Sequence, residues 1–167
     1  MVVIDADEPA AYCVAGRSPA VVVTSAALDR LDSRQLAAVL AHETAHLAGR
    51  HHELLLVLRA LAGGLSRLPL FVAAADAVAL LLEMCADDAA ARRHGWRPLL
   101  EGLLALAGRQ RTASAALGAA DLAVVARAQR LVSPAPRGAR WRHRVLLTGV
   151  MVLALLIPMA LALVCRL

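Results

Sequence analysis

The sequence predicts a mainly α-helical chain with one small β-hairpin and one C-terminal transmembrane helix. Three observations lead there. Alanine and leucine dominate a composition that is 60% hydrophobic and only 2% aromatic, and both residues favour helix. The confident β-prone runs all lie before residue 25. Val145 to Cys165 is a stretch of 21 residues without a charge. A mean hydropathy of +0.64 adds that part of the chain meets lipid.

The elements follow in order. Met1 to Asp7 is short and acidic and is not expected to be a secretory signal. Tyr12–Val14 and Ala20–Thr24, separated by Gly16-Arg17-Ser18-Pro19, read as a hairpin in which Val21-Val22-Val23 is the stronger strand. Asp32 is an N-cap whose capping box closes on Gln35. The apolar spacing of Leu36, Val39, Leu40 and Leu47 carries that helix through His46 and on toward Leu61, until Gly63-Gly64 ends it. Pro69 opens a long helix to about Arg93, stopped by His94-Gly95. Pro98 opens another to about Ala107, and a fourth covers roughly Ala115 to Leu131. The apolar stretches Leu54–Leu65 and Leu68–Leu82 are expected to be packed helices of the domain. The second is short and carries Asp76, which costs about 2.5–3.5 kcal/mol at a bilayer centre.

The chain divides into a domain over residues 1–132, a basic linker over 133–144 and a membrane helix over 145–165. At ~1.5 Å per residue the last spans roughly 31 Å, the thickness of a hydrocarbon core. Arg137, Arg140, Arg142 and Arg144 precede it and only Arg166 follows, so the preceding domain is expected on the cytoplasmic side of the cell membrane. Residues 1–121 hold all 13 acidic residues and 11 arginines, whereas 122–167 hold the other 7 arginines and no acid. Positive charge beside an apolar segment suits a lipid bilayer as partner. There is no lysine and almost no aromatic surface for stacking, which argues against nucleic acid. Cys13, Cys85 and Cys165 are odd in number and widely spaced, so neither a disulfide framework nor a thiolate zinc site is expected.

Ala41-His42-Glu43-Thr44-Ala45-His46 carries the candidate chemistry. Residues four apart share a helix face about 6 Å from one another, so His42 and His46 can converge on one zinc ion. Zinc takes nitrogen and carboxylate oxygen in a tetrahedral shell and leaves one position to water where it is catalytic. Glu43 stands beside that position and can take a proton from water acidified toward pKa ~7. Val39-Leu40-Ala41 runs straight into the motif, which weakens the alternative of a solvated charged face. A third ligand is required. The candidates are Glu53, Asp76, Glu83, Asp87 and Asp88, or His51, His52 and His94. Asp76 lies two turns before Glu83 on the same face. Glu83 and Asp87, four apart and preceded by Leu80-Leu81-Leu82, form a pair in which one carboxylate binds metal while the other orients a ligand histidine.

With these residues the chain resembles the gluzincins related to HtpX-type membrane proteases, the CAAX prenyl proteases and the BlaR/MecR antibiotic-sensing transducers. The likeness covers about residues 9–132. It rests on Val21-Val22-Val23-Thr24-Ser25, on Leu36 to Ala41 leading into HExxH, and on Glu83-Met84-Cys85-Ala86-Asp87-Asp88-Ala89-Ala90. Arg50-His51-His52 and Arg127-Ala128-Gln129-Arg130-Leu131 are similar to the BlaR-like branch. The resemblance implies a zincin-like helical metalloprotease domain with one Zn2+ per chain. Glu83 would be the third ligand, and Asp87 would orient a ligand histidine. BlaR-like proteins carry membrane helices ahead of this domain and a sensor after it; neither is expected here, nor direct β-lactam sensing. The expected function is zinc-dependent endopeptidase activity on a protein or peptide substrate. A repressor or sensor protein is the candidate regulatory partner. The rival is a non-catalytic scaffold, or a membrane signal transducer that depends on a partner chain.

Lesser expectations concern single residues. His51 should sit at the surface or behind a ligand, and His94 should be a cation at a helix end. Arg127 should be structural or superficial ahead of any oxyanion role. Tyr12 should pack in the hairpin. The Val21–Val23 strand is a candidate for pairing with an extended substrate.

Overall fold

The computed structural model describes residues 1–64, 69–107 and 119–133. Among these described residues three strands, β1 (Val2–Ile4), β2 (Ala11–Val14) and β3 (Ala20–Thr24), precede six helices. These are α1 (Ser25–Arg30), α2 (Ser33–Ala48), α3 (His51–Gly64), α4 (Pro69–His94), α5 (Trp96–Ala107) and α6 (Ala119–Val132). The expected hairpin is present: β2 and β3 run antiparallel, with Tyr12 opposite Val22 and Cys13 opposite Val21. A strand absent from the sequence reading joins them. β1 lies parallel to β3, with Val2 opposite Val22, so the sheet order is β1-β3-β2. β1 is three exposed residues long, too short for an alternating pattern to register.

The sheet order corrects one expectation. β3 is flanked on both sides, so the Val21–Val23 strand has no free edge for substrate; the edges belong to β1 and β2. Val21, Val22 and Val23 are accordingly buried. β2 alternates, with Ala11 and Cys13 turned inward and Tyr12 and Val14 outward. Tyr12 is thus an exposed hairpin residue. Thr24 fixes the corner after the sheet. Its hydroxyl accepts from Ala10 N at 2.9 Å and from Ala27 N at 3.2 Å, capping α1.

Asp32 caps α2 as expected, accepting from the amides of Arg34 and Gln35 at 2.8 Å while the Gln35 side chain accepts from Asp32 N at 3.1 Å. The helix is shorter than its apolar spacing predicts. It stops at Ala48, Gly49 closes it, and Arg50 takes a left-handed φ of 51° before α3 begins. A side chain at Gly49 would collide with the His51 ring, so the turn depends on that glycine. α4 runs from Pro69 to His94 and ends at Gly95, whose φ of 87° suits a residue without Cβ. α5 begins at Trp96, two residues before Pro98.

α2 packs chiefly on α4 and then on α5. Ala38, Ala90, Leu99 and Leu131 form the core where α2, α4, α5 and α6 meet. Alanines and Gly102 let these helices approach closely; a Cβ on Gly102 would stand 2.9 Å from Val39 Cγ2. A second core joins Val21, Val23 and Ala27 to Leu36, Leu40 and Leu47. α3 packs against α4, yet Leu56, Val57, Leu70 and Val72 on this pair are exposed. As far as they lie within the described residues (54–64 and 69–82), the two apolar stretches are therefore helices of the domain, as expected, but only partly buried ones.

Among the described residues no helix is long and apolar enough to cross a membrane. The basic linker beyond Ser133, the apolar segment 145–165 and Ala115 to Gly118 of the fourth predicted helix lie outside them.

Candidate active site

Two helices meet to form the site. His42 and His46 stand one turn apart on α2, and Glu83 and Asp87 one turn apart on the facing side of α4. His42 and His46 are 3% and 8% exposed and Asp87 only 2%. His42 Nε2 and His46 Nε2 are 3.2 Å apart, and each lies 3.5 Å from a Glu83 carboxylate oxygen. Ligand atoms of all three residues fall within 4.8 Å of one another.

This donor set fits zinc in both chemistry and spacing. Two atoms bonded at ~2.0–2.1 Å to a tetrahedral zinc stand roughly 3.3 Å apart, which matches the 3.2 Å between the two imidazole nitrogens, while Glu83 turns one oxygen toward each of them. The far side of each imidazole is also engaged. His42 Nδ1 lies 3.1 Å from Asp87 Oδ1, an ion-pair distance although off the line of a formed hydrogen bond. His46 Nδ1 is hydrogen-bonded to His51 Nδ1 at 2.9 Å. With each Nδ1 facing a partner, both Nε2 atoms are left to face inward.

The electrostatics follow from burial and pairing. Burial opposes charge on His42, but Asp87 and Glu83 outweigh it and hold the group at about 9. Burial instead governs His46 and pushes it down to about 4, against the pull of Glu83. Burial raises Glu43 above the ordinary carboxylate range, with His42 pulling the other way. Glu83 and Asp87 lie below theirs: burial opposes this, but His42 and Arg127 more than offset it. Arg127, on α6, is the cation that makes two adjacent acids tolerable. Its Nε and Nη2 donate to the two oxygens of Asp87 at 2.8 Å, and Nη1 sits 3.0 Å from Glu83 Oε2.

The sequence candidates sort cleanly. The geometry brings His42, His46, Glu83 and Asp87 together, with Glu43 on α2 beside them. Glu53 pairs with Arg50 on the surface, and Asp88 pairs with Arg130 at 3.0 Å. Asp76, His52 and His94 are exposed. His51 is buried behind His46, one of the two places foreseen for it. Arg127, expected to be structural or superficial ahead of any oxyanion role, pairs with Asp87 and Glu83, partners that were not foreseen. Cys13 is a residue the sequence reading left as filler. Its thiol lies 3.7 Å from His52 Nε2 and is pushed up to about 12 by burial and by the nearby Glu43 carboxylate. The inward face of β2 was the available signal, but no spacing rule links residue 13 to residue 43.

A family model described as peptidase family M48 matches residues 1–130. The chain belongs to peptidase family M48. No curated protein and no solved structure matches it. Membership in M48 implies a zinc-dependent metallopeptidase acting on a protein or peptide, as the resemblance led one to expect. The matched M48 region takes in every element described above except the last residues of α6.

Proposed function

We propose that this chain is a membrane-anchored zinc endopeptidase in which His42, His46 and Glu83 hold the metal and Glu43 is the general base. The gathering of His42, His46 and Glu83, with one ligand atom from each within 4.8 Å of the others, carries the reading. The chemistry that zinc would supply, if held by His42, His46 and Glu83, is Lewis acidity toward a peptide carbonyl and a water pKa lowered toward ~7. The protein's own groups do the rest. Glu43, raised by burial, accepts the proton of the attacking water and returns it to the leaving amine. Asp87 orients His42, and His51 orients His46. Arg127 neutralises Asp87 and Glu83, so that the site does not accumulate unpaired negative charge.

The apolar segment 145–165 and its flanking arginines support anchoring in the cell membrane with the peptidase on the cytoplasmic side. Cleavage of a cytoplasmic regulatory protein such as a repressor fits that placement. The free edge of β2, rather than β3, is the place for an extended substrate to pair.

Metal analysis of the purified full chain beside Glu83→Ala tests the centre. One zinc per chain that falls several-fold in the variant is expected. Full zinc in Glu83→Ala, or cleavage indifferent to chelator, contradicts the assignment. Trypsin access in intact and permeabilised cells tests the topology, with digestion expected only after permeabilisation.

A further inference from the structure

Cys13 and His52 meet although 39 residues separate them: the thiol Sγ lies 3.7 Å from the imidazole Nε2. Cys13 is on the inward face of β2, held by its pairing opposite Val21. His52 is in the first turn of α3, brought round by the break at Gly49 and Arg50. The pair stands beside the helix that carries the two histidines. The His52 ring is 6.4 Å, centroid to centroid, from that of His46, and the Glu43 carboxylate interacts with the same thiol. We infer that Cys13, His52 and Glu43 form a second metal site, for a soft or borderline divalent cation such as zinc, cobalt or cadmium, and that a cation held there takes the general base out of use. The inhibitory half of this inference rests on the endopeptidase reading above; the metal-binding half does not.

Three observations carry it. First, the separation suits a shared ion. A sulfur at ~2.3 Å and a nitrogen at ~2.0–2.1 Å from a tetrahedral zinc stand roughly 3.5 Å apart, close to the 3.7 Å between Cys13 Sγ and His52 Nε2. Second, a third donor comes from another element. Glu43 of α2 borders one cavity together with Ala11, the inward residue two before Cys13, so its carboxylate faces the strand that carries the thiol. Third, the pair is open to solvent and otherwise unengaged. His52 is exposed and Cys13 half-buried, and among the described residues the contact with Cys13 is the one hydrogen bond of the His52 ring. Softness separates this set from the first. His42, His46 and Glu83 offer nitrogen and oxygen alone, whereas a thiolate draws softer ions. The arriving cation displaces the thiol proton to solvent. With its carboxylate on that cation, Glu43 no longer accepts a proton from water. Cysteine spacing gave no hint of this site, because the register of β2 and the turn at Gly49 make it.

The test uses the full chain with Cys85→Ser and Cys165→Ser, so that Cys13 is its one thiol. It is loaded with one equivalent of zinc, whose filled d shell is spectroscopically silent, and cobalt(II) is titrated in. A thiolate-to-cobalt charge-transfer band in the near ultraviolet is expected; cobalt exchanged into a site of nitrogen and oxygen gives none. The band should vanish in Cys13→Ser. In His52→Ala it should need about tenfold more cobalt or beyond, the least that losing even a partner behind a ligand brings, and Glu43→Gln should weaken it in the same direction. In parallel, cleavage of fluorescently labelled casein is followed as zinc rises past one equivalent. Activity should fall, and His52→Ala should stay active to about tenfold higher zinc. Absence of the thiolate band, or a band whose cobalt dependence His52→Ala leaves unchanged, overturns the site even if excess zinc inhibits. The band with steady cleavage overturns the inhibitory half and spares the endopeptidase reading. The band with its full set of dependences, but no cleavage at any zinc concentration, sinks the endopeptidase reading and keeps the site. If Cys13→Ser fails to fold, His52→Ala, at an exposed position, decides.

Discussion

At the scale of residues, the two facing pairs were legible because helix geometry turns spacing into proximity, while the choice of Glu83 as third ligand came from the resemblance. Two histidines four apart and two carboxylates four apart each occupy one face, and the two faces meet. What spacing does not encode is the partner that comes from elsewhere in the chain. Arg127 lies 40 residues from Asp87, and nothing in either neighbourhood links them. Its loss should be costly, because Asp87 is buried and would keep its charge unpaired. Arg127→Met is expected to destabilise the chain by about 3 kcal/mol, measured by denaturant unfolding, and to weaken zinc binding roughly 10–100-fold. Glu43→Gln should leave zinc content intact and lower peptide cleavage by a factor of about 10²–10⁴. The two histidines also set a pH dependence. In the metal-free chain His42 is raised to about 9, so its contribution is complete below its ordinary 6.5 and fades as pH climbs toward 9. His46 is lowered to about 4, so the unfolded chain takes up the proton first and stability falls as pH drops from 6.5 toward 4. From this pair the metal-free fold is expected to be most stable near pH 6.5. Zinc must displace the His42 proton. Calorimetry at pH 7.5 in two buffers of different ionisation enthalpy should therefore record release of close to one proton.

At the scale of elements, boundaries marked by a chemical signal were readable and those set by packing were not. The Asp32–Gln35 box gave the start of α2 correctly, and Pro69 and Gly95 bracketed α4. The break after Ala48 was missed because Leu47 and Leu54, seven apart, keep the helical spacing across Gly49, and the break serves the site rather than the helix. It turns the chain so that His51 falls back onto His46. β1 was missed because parallel pairing across twenty residues leaves no local turn signature. Two substitutions test these elements. Asp32→Ala should cost about 1 kcal/mol through the lost cap. Gly102→Ala should cost more than this helix-favouring change normally gains, because the new Cβ meets Val39 and Gln35; thermal unfolding of both variants measures the difference.

At the scale of the whole molecule, the mainly helical character was legible from composition, whereas the tertiary arrangement was not, since apolar helices rich in alanine can pack in several registers. A metal held by the proposed ligands would join α2 to α4, so chelation should do more than stop turnover. Adding EDTA is expected to lower the midpoint of thermal unfolding by several degrees, with protection restored by zinc in proportion to the logarithm of its concentration; an unchanged midpoint would show that the metal carries no structural share. α6 is the last described helix before the basic stretch. It is clasped to α4 twice, by Arg127 on Asp87 and Glu83 and by Arg130 on Asp88 and the Met84 carbonyl. Tension or torsion on the backbone past Val132 would therefore pass along α6 and pull at the two carboxylates facing the histidines. Through these two clasps α6 and the pair of carboxylates facing the histidines move as one mechanical part.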